Sequence, residues 1–237
     1  MGLLVKVCGL RDPENIRDLL ALPNTIRPAL CGFILYEKSS RYAGHHLSDT
    51  MLEEITSHGV KPIAVTVNMP MDTLLTWLEQ YPFAGVQLHG QESVEYIRQI
   101  QLHLPDMCMM KAIPFPLQGY SRSMIEPLIE QCELYAEICS YILADTASTQ
   151  HGGTGTKFDW RMLAELPVSV QKKLILAGGI GEDDSSALHA IASSIAGIDI
   201  NSRFEHVPGY KDISRISHFL EQLADSPLLH SSFETTL

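Results

Sequence analysis

The sequence predicts a single-domain (β/α)8 TIM barrel, an α/β fold, and three observations lead to this prediction. The 237 residues approach the ~250 residues typical of such barrels, and they are few for two ordinary domains. Apolar runs rich in β-branched residues recur along the whole chain without alternating between apolar and polar, as in parallel strands buried on both faces. Segments with helical spacing of apolar residues separate these runs.

Eight strands are predicted in order, and helices are predicted between them. The strands are residues 3–7, 29–36, 62–67, 84–88, 108–113, 141–144, 173–177 and 196–200. Asp12 and Pro13 look like the cap and the first residue of helix one, and Pro70 suits the first turn of a later helix. Apolar stripes over 94–104, 188–195 and 213–223 predict three more helices.

A Rossmann-type open sheet is the alternative architecture. Such a sheet usually carries a glycine-rich turn after its first strand, whereas Cys8-Gly9-Leu10-Arg11 holds a single glycine. We see no internal domain boundary. The sequence therefore predicts a barrel domain over 1–224 and a flexible tail over 225–237.

Charge and cysteine content exclude several classes of protein. Asp and Glu outnumber Lys and Arg by 28 to 17, and an acidic chain without a basic cluster is a poor nucleic-acid binder. No run is long and apolar enough to predict a membrane span, and the first residues lack signal-peptide character. The five cysteines include no Cys-x-x-Cys pair, which favours reduced thiols in a cytoplasmic protein.

Barrels hold their active sites in loops after the strands, so polar and glycine residues at those positions are candidates. The loops 151–160 and 177–186 are glycine-containing, and Asn201-Ser202 follows strand eight. Glycine lets backbone N–H groups approach a phosphate, and barrels often bind phosphate at their last strands. The pattern predicts phosphate binding; ordinary turns are the alternative for either loop alone.

Three side chains are candidates for chemistry. Cys8 ends a buried strand, and its thiolate could act as a base, although an inert buried cysteine is the commoner case. Asp145 ends strand six, where apolar neighbours favour a carboxyl that keeps its proton; a cap or an ion pair is the alternative. Arg41 could grip a carboxylate with two hydrogen bonds, or lie solvated at the surface.

The histidines predict no metal site. The chain has ten of them but no His-Glu-x-x-His pattern. His45 and His46 are adjacent, so they are poorly placed to ligate one ion from a regular element.

Read together, several stretches resemble the phosphoribosylanthranilate isomerase family of tryptophan biosynthesis. The matching segments, in the family's order, are VKVCGL, GFILYEKSSRY, VTVN, VQLHGQES, ILADTASTQHGGTGTKFDW, LILAGGI and GIDINSRFE with PGYKD. The combination of VQLHG with DT, GGTG and FDW is the specific part of the resemblance, and together the segments cover almost the whole chain.

The resemblance implies an isomerase that converts N-(5′-phosphoribosyl)anthranilate into 1-(2-carboxyphenylamino)-1-deoxyribulose 5-phosphate by an Amadori rearrangement. Cys8 would be the general base, Asp145 the general acid and Arg41 the anchor of the anthranilate carboxylate. The phosphate would be held by backbone around Gly153, Gly178, Gly179, Asn201 and Ser202. A small phosphosugar is the expected partner of a monomer or homodimer, and neither a metal nor an organic cofactor is expected.

The chain departs from the family pattern where Asn201-Ser202-Arg203 stands in place of Ser-Ser-Gly, and this affects the phosphate contacts. Two other functions stay open. A phosphosugar synthase such as indole-glycerol-phosphate synthase would need a barrel-lining lysine with a glutamate, for which Lys6 and Lys111 are candidates. A phosphate-ligand sensor without catalysis would not need both Cys8 and Asp145.

The proposed roles impose a protonation requirement. The reaction needs a protonated carboxyl and a deprotonated thiol at once, whereas a free Asp titrates near ~3.9 and a free Cys near ~8.5. Lys6 and Arg11 are the cations nearest to Cys8 in sequence that could stabilise a thiolate. We therefore expect a bell-shaped dependence of kcat/KM on pH. Cys8 sets the acid limb and Asp145 the alkaline limb if the pKa of Asp145 lies above that of Cys8, and the two assignments reverse if it does not.

Overall fold

The computed structural model describes residues 3–117, 122–146 and 157–224. Within them, eight parallel strands close into a barrel in simple sequential order, β1 to β8, with β8 pairing back to β1. The strands are β1 Leu4–Cys8, β2 Leu30–Ile34, β3 Lys61–Thr66, β4 Gly85–Leu88, β5 Cys108–Phe115, β6 Tyr141–Thr146, β7 Leu174–Leu176 and β8 Gly197–Ile200. The predicted TIM barrel and all eight strands are confirmed, and the open-sheet alternative is wrong.

Helices follow the strands and cover the outside of the barrel. They are α1 Pro13–Leu20, α2 Asp49–Ser57, α3 Met71–Gln80, α4 Val94–His103, α5 Arg122–Ile138, α6 Val168–Gln171, α7 Ser185–Ile191 and α8 Ile213–Ala224. Asp12 caps α1 by accepting a hydrogen bond from the Asn15 amide, and Pro13 is the first helical residue. Pro70 lies one residue earlier than predicted, at the cap position of α3 rather than in its first turn.

The elements after β6 and β7 are shorter than the sequence suggests. A 3-10 helix over Trp160–Glu165 precedes the four-residue α6, and a 3-10 turn over Glu182–Asp184 leads into α7. After β8, a short hairpin of β9 Glu205–Val207 and β10 Tyr210–Lys211 precedes α8. These departures from regular β/α alternation surround one end of the barrel.

The apolar core has an outer and an inner part because successive strand residues point to opposite faces. Outward-facing residues such as Val7, Cys31 and Ala64 pack against the helices in one large buried cluster. A second cluster fills the interior and includes Leu30, Ile63, Met110, Leu143, Ile175 and Ala177. Above it, the interior positions become polar with Lys6, Gln87 and Asp199, all buried. The barrel therefore has an apolar floor and a polar upper half.

Helix α8 ends at Ala224, and the expected flexible tail over 225–237 lies outside the described residues. Across the three described ranges, none of the helices has both the length and the apolar character needed to cross a membrane.

Candidate active site

Cys8 and Asp145 lie at the same end of the barrel. Cys8 ends β1 and Asp145 is the penultimate residue of β6, and both strands run in the same direction. Three neighbour steps, through β7 and β8, separate these strands in an eight-stranded ring. The two side chains therefore approach the barrel mouth from nearly opposite sides, with space for a ligand between them.

Cys8 sits in a buried, charged environment. Its exposed fraction is 4%, and Lys6, two residues earlier on the same strand face, hydrogen-bonds its sulfur. The Lys6 ammonium also donates to Asp199 Oδ2 on β8 at 3.0 Å. Gly32 makes room for this group, because a Cβ there would lie 2.9 Å from both the Cys8 sulfur and Lys6 Nζ. The side chain of Cys8 thus points into the interior, beside a cation.

Burial dominates the proton affinity of this cluster. It raises the pKa of Cys8 above its ordinary value, although the Lys6 charge opposes the effect. Burial likewise raises the pKa of Asp199. For Lys6, burial acts to lower the pKa, but Asp199 and Cys8 together raise it above its ordinary value. Lys6, and not Arg11, is the cation beside Cys8, since Arg11 is directed to the Ser40 carbonyl at 3.0 Å.

Asp145 has a different environment. Its side chain is 23% exposed and accepts two hydrogen-bonding contacts, one from the Thr146 amide at 2.8 Å and one from His89 Nε2 at 3.1 Å. His89 Nδ1 in turn lies 2.8 Å from the Gln87 amide nitrogen. Of the alternatives left open by the sequence, a helix cap is not what the structure shows, since the side-chain partner of Asp145 is His89.

Arg41 is not a solvated surface residue. Its side chain is 12% exposed, and it binds the Glu205 carboxylate through Nε at 3.0 Å and Nη2 at 2.7 Å. Lys211 Nζ contacts the same carboxylate at 2.7 Å and Asn201 Oδ1 at 2.7 Å. Although burial acts in the opposite direction, the hydrogen bonds from Arg41 and Lys211 hold the pKa of Glu205 below its ordinary value.

A glycine brings Arg41 close to Cys8. Gly9 directly follows Cys8 and has φ +76°, and a Cβ there would lie 2.7 Å from both Arg41 Cδ and Asn201 Oδ1. The Arg41 chain therefore crosses the end of β1. The structure brings Cys8, Arg41 and Asn201 together on one side of the barrel mouth.

The predicted phosphate residues after β7 and β8 lie at the same mouth. Gly178 and Gly179 both have positive φ values, +80° and +73°. A Cβ on Gly178 would meet the Thr146 hydroxyl and lie 2.9 Å from Asp145 Oδ1, so only glycine fits beside Asp145. Asn201 and Ser202 enter a 3-10 turn directly after β8.

The loop after β6 is connected to the loop after β7. Lys157 Nζ donates to Asp184 Oδ1 at 2.6 Å, and Asp184 Oδ2 accepts from the Gly181 amide at 2.7 Å. Arg203 runs alongside, since a Cβ on Gly181 would lie 3.8 Å from Arg203 Cβ. The remaining phosphate residue, Gly153, lies outside the described residues.

Sequence reasoning missed the roles of four residues in these contacts. Asp199 is hidden within an apolar strand, and Glu205 and Lys211 lie on the short hairpin β9–β10, which has no strong strand pattern in the sequence. The PGYKD segment that contains Lys211 contributes only to the family resemblance. His89 directly follows a predicted strand, which marks it as one of the polar strand-end residues, but its contact with Asp145 depends on closure of the barrel.

Throughout the described part of the chain, no group of three or more His, Cys, Asp or Glu side chains is arranged to hold a metal ion. The polar atoms at the barrel mouth are instead a thiol, a carboxylate with an imidazole, cationic side chains and glycine amides. Such a set can donate a proton, accept one from carbon and hold anionic groups.

Comparison with known proteins connects this arrangement to one family. Residues 5–222 match the family model described as N-(5'phosphoribosyl)anthranilate (PRA) isomerase. The isomerase of that name from Parabacteroides distasonis is 31% identical over 235 residues, which are 98% of this chain and 96% of the relative. The one from Agrobacterium fabrum is 32% identical, covering 93% of this chain and 94% of the relative.

Solved structures agree with the sequence matches. The crystal structure of phosphoribosyl anthranilate isomerase from Thermotoga maritima superposes with a TM-score of 0.72 at 26% identity, over 93% of this chain and 98% of that one. The enzyme from Thermus thermophilus gives the same TM-score at 22% identity, covering 94% and 98%. The chain belongs to the N-(5′-phosphoribosyl)anthranilate isomerase family.

Proposed function

We propose that this chain converts N-(5′-phosphoribosyl)anthranilate into 1-(2-carboxyphenylamino)-1-deoxyribulose 5-phosphate through an Amadori rearrangement, a step of tryptophan biosynthesis. The observation that carries the proposal is the opposed pair of Cys8 and Asp145 at the barrel mouth, in a chain whose family model covers residues 5–222. The reaction needs an acid at the ring oxygen and a base at C2′, on different parts of one small substrate.

Asp145 is proposed as the general acid. Opening of the furanose ring breaks the C1′–O4′ bond and places a proton on O4′, leaving a Schiff base between C1′ and the anthranilate nitrogen. Asp145 is partly exposed at the mouth and fixed by the Thr146 amide, so a substrate can reach its carboxyl oxygens. A positioned proton donor of this kind typically contributes ~10²–10⁴-fold in rate.

Cys8 is proposed as the general base. The Schiff base makes the C2′ proton acidic, and a thiolate removes it to form an enolamine, which tautomerises to the ketone. Lys6 hydrogen-bonds the sulfur and stabilises its charged form. Because burial nevertheless raises the pKa of Cys8, the free enzyme holds mostly thiol at neutral pH.

Arg41 is proposed as the anchor of the anthranilate carboxylate. Glu205 occupies the edge of the guanidinium formed by Nε and Nη2, and Nη1 is not used in that contact. The end of the guanidinium therefore remains oriented for a second carboxylate, with its direction fixed by Glu205. A carboxylate held there lies on the Cys8 side of the barrel, since Arg41 crosses Gly9.

The phosphate is proposed to bind at the other glycine and hydroxyl positions of the mouth. Gly178 and Gly179 expose backbone without a Cβ, and Asn201 and Ser202 begin the turn after β8. Gly153 is proposed to contribute from the preceding loop. Placed in this way, the substrate spans the mouth, and no step of the proposed reaction calls for a metal or an organic cofactor.

We further propose that the protein acts on this small phosphosugar in the cytoplasm, as a monomer or a homodimer.

The synthase alternative loses its support at Lys111. Met110 and Ala112 face the barrel interior, so Lys111 between them points outward. It binds Glu92 at 3.1 Å and lies over the Tyr135 ring of α5. Lys6 does line the barrel, but it pairs with Asp199 rather than with a glutamate. The required pair of a barrel-lining lysine and a glutamate is therefore not formed by either candidate.

Turnover of freshly prepared N-(5′-phosphoribosyl)anthranilate tests the proposal. Loss of anthranilate-type fluorescence in proportion to enzyme, with the aminoketone as the only product, is expected. No turnover of this substrate, with conversion of the separately supplied aminoketone into an indole product, would indicate the synthase, and binding of the product without turnover would indicate a sensor.

A further inference from the structure

His89 is an ionisable residue that the scheme above does not use. It ends the β4 region, its side chain is 22% exposed at the barrel mouth, and its Nε2 lies 3.1 Å from Asp145 Oδ2. Asp145 Oδ1 is held separately by the Thr146 amide at 2.8 Å. The general acid thus has one oxygen fixed by backbone and the other in contact with a group that can itself carry a proton.

Gln87 is placed to support His89 in either protonation state. As oriented, the Gln87 amide nitrogen lies 2.8 Å from His89 Nδ1, and this orientation suits a neutral ring in which Nδ1 accepts and Nε2 carries the proton. Gln87 is buried, and its Oε1 has no hydrogen-bond partner among the described residues. If the amide turned over, Oε1 would accept from a protonated Nδ1 and the nitrogen would take the unpaired place. Each orientation leaves one amide atom unpaired, so neither state of His89 is favoured by Gln87 alone.

The charges around His89 leave Asp145 as its direct partner. From β8, Asp199 acts on the site at longer range, and it is paired with Lys6. From β5, Lys111 donates to the carbonyls of Leu88 and Gly90 on either side of His89, and its charge is balanced by Glu92 at 3.1 Å. Both more distant charges are therefore neutralised within their own ion pairs.

We propose that His89 and Asp145 act as one proton-donating unit in which His89 supplies the proton that Asp145 delivers. This inference rests on the proposed isomerase function. In the resting state of this proposal the Gln87 amide is turned so that its Oε1 accepts from Nδ1, the imidazolium holds both ring protons, and Asp145 is a carboxylate. Nε2 first transfers its proton to Asp145 Oδ2, and Oδ2 then passes that proton to O4′ as the C1′–O4′ bond breaks, which returns Asp145 to the carboxylate. His89 is left neutral with its proton on Nδ1, facing Gln87, and is a positioning residue that acts through the acid.

The unit meets the protonation requirement of the reaction at neutral pH. A lone aspartate is almost entirely ionised there, whereas an imidazole is the side chain that carries a proton in this range. The reaction needs one proton on the His89–Asp145 unit and none on Cys8. As the pH rises, Cys8 ionises and kcat/KM increases, until the unit begins to lose its proton and kcat/KM reaches a plateau. The pH at which this plateau begins, which is the acid limb, therefore reports His89.

The test is the pH dependence of kcat/KM for wild type and His89→Gln. Glutamine keeps a donor for Asp145 but cannot hold a proton. We expect the acid limb to move by more than one pH unit to lower pH and kcat at pH 7.5 to fall more than tenfold. KM should stay within about threefold, because the phosphate and carboxylate contacts are unchanged. His103→Gln on the exposed surface of α4, a matched control, should leave the profile as in wild type.

An unchanged limb in a folded His89→Gln variant that binds the product analogue would overturn the inference, as would a uniform loss of rate at every pH. Turnover by wild type in the same assay shows that such a result concerns His89 alone, whereas absence of wild-type turnover would overturn the proposed function and this inference together. If the variant does not fold, ¹⁵N-histidine spectra of wild type decide. The imidazole that responds to product analogue must titrate at the acid limb, and a responding imidazole that stays neutral contradicts the proposal.

Discussion

The two halves of the barrel mouth differ in how they control a proton. On the β1 and β8 side, Cys8 is 4% exposed and enclosed with Lys6 and Asp199. On the β4 and β6 side, Asp145 is 23% exposed and contacts His89. Burial therefore dominates the environment of the proposed base, whereas the proposed acid is partly exposed and contacts an imidazole. The difference implies that water can replace the proposed acid more readily than the proposed base.

The largest effect is expected on the buried side. Cys8→Ala should lower kcat by about 10³–10⁴-fold, at the upper end for acid–base catalysis, since water has little access to replace the sulfur. Steady-state turnover measures the effect, and binding of a product analogue checks that the site is intact. Cys132→Ala, a buried cysteine on α5, is the matched control and should keep its activity. Wild-type kcat in Cys8→Ala would remove the thiol from the mechanism.

Asp145→Asn, on the more exposed side, should cost less. The amide keeps the shape of the side chain but cannot donate as a carboxylic acid, and solvent replaces part of its function. We expect kcat to fall by about 10²–10³-fold. With the chemical step shown to be rate-limiting, a decrease of less than tenfold would exclude Asp145 as the general acid.

Arg41→Ala tests substrate binding on the Cys8 side of the mouth and leaves both proposed proton-transfer groups, Cys8 and Asp145, in place. Losing a charge-assisted carboxylate contact costs on the order of 1.5–3 kcal/mol, so KM should rise about 10- to 100-fold. Because Glu205 keeps Lys211 as a partner at 2.7 Å, it is not left unpaired in this variant. A KM equal to that of wild type would show that the anthranilate carboxylate binds elsewhere.

The smallest effect concerns the ion pair beneath Cys8. Removing only Lys6 would strand Asp199 in the interior at a cost of roughly 3–5 kcal/mol, so the paired variant Lys6→Met/Asp199→Asn is the cleaner change. Lys6 lowers the pKa of Cys8 more strongly than Asp199 raises it. The double variant should therefore raise the pKa of Cys8 further, shift the alkaline limb to higher pH and lower kcat/KM at pH 7 by up to about tenfold. Thiolate absorbance near 240 nm, read against Cys8→Ala, measures the shift, and a shift toward lower pH would contradict it.

The sequence was sufficient to predict the barrel, its eight strands and the strand ends that carry Cys8 and Asp145. Apolar runs and strand-end residues are local signals, so they can be read without knowing which strands are neighbours. The ion pairs are different. Lys6 with Asp199 joins β1 to β8, and Arg41 with Glu205 joins positions 164 residues apart, so both depend on closure of the ring.

The protonation states of the site residues could not be predicted from the sequence, because they also depend on which strands are neighbours in the closed barrel. The sequence left open whether the titrations of Cys8 and the acid cross. The structure shows that burial outweighs Lys6 at the sulfur, and the pKa of Cys8 rises. Strand register turns Lys6 toward the interior and Lys111 away from it, whereas Arg11 lies in the loop after β1 and is directed to the Ser40 carbonyl.

Loss of deuterium from C2′ of the substrate tests the division of labour between the two sides most directly. The account predicts that wild type removes the C2′ deuteron of labelled N-(5′-phosphoribosyl)anthranilate with a primary isotope effect. Cys8→Ala should bind the product analogue normally yet leave the label at C2′. Release of C2′ deuterium by Cys8→Ala at the wild-type rate would contradict the account.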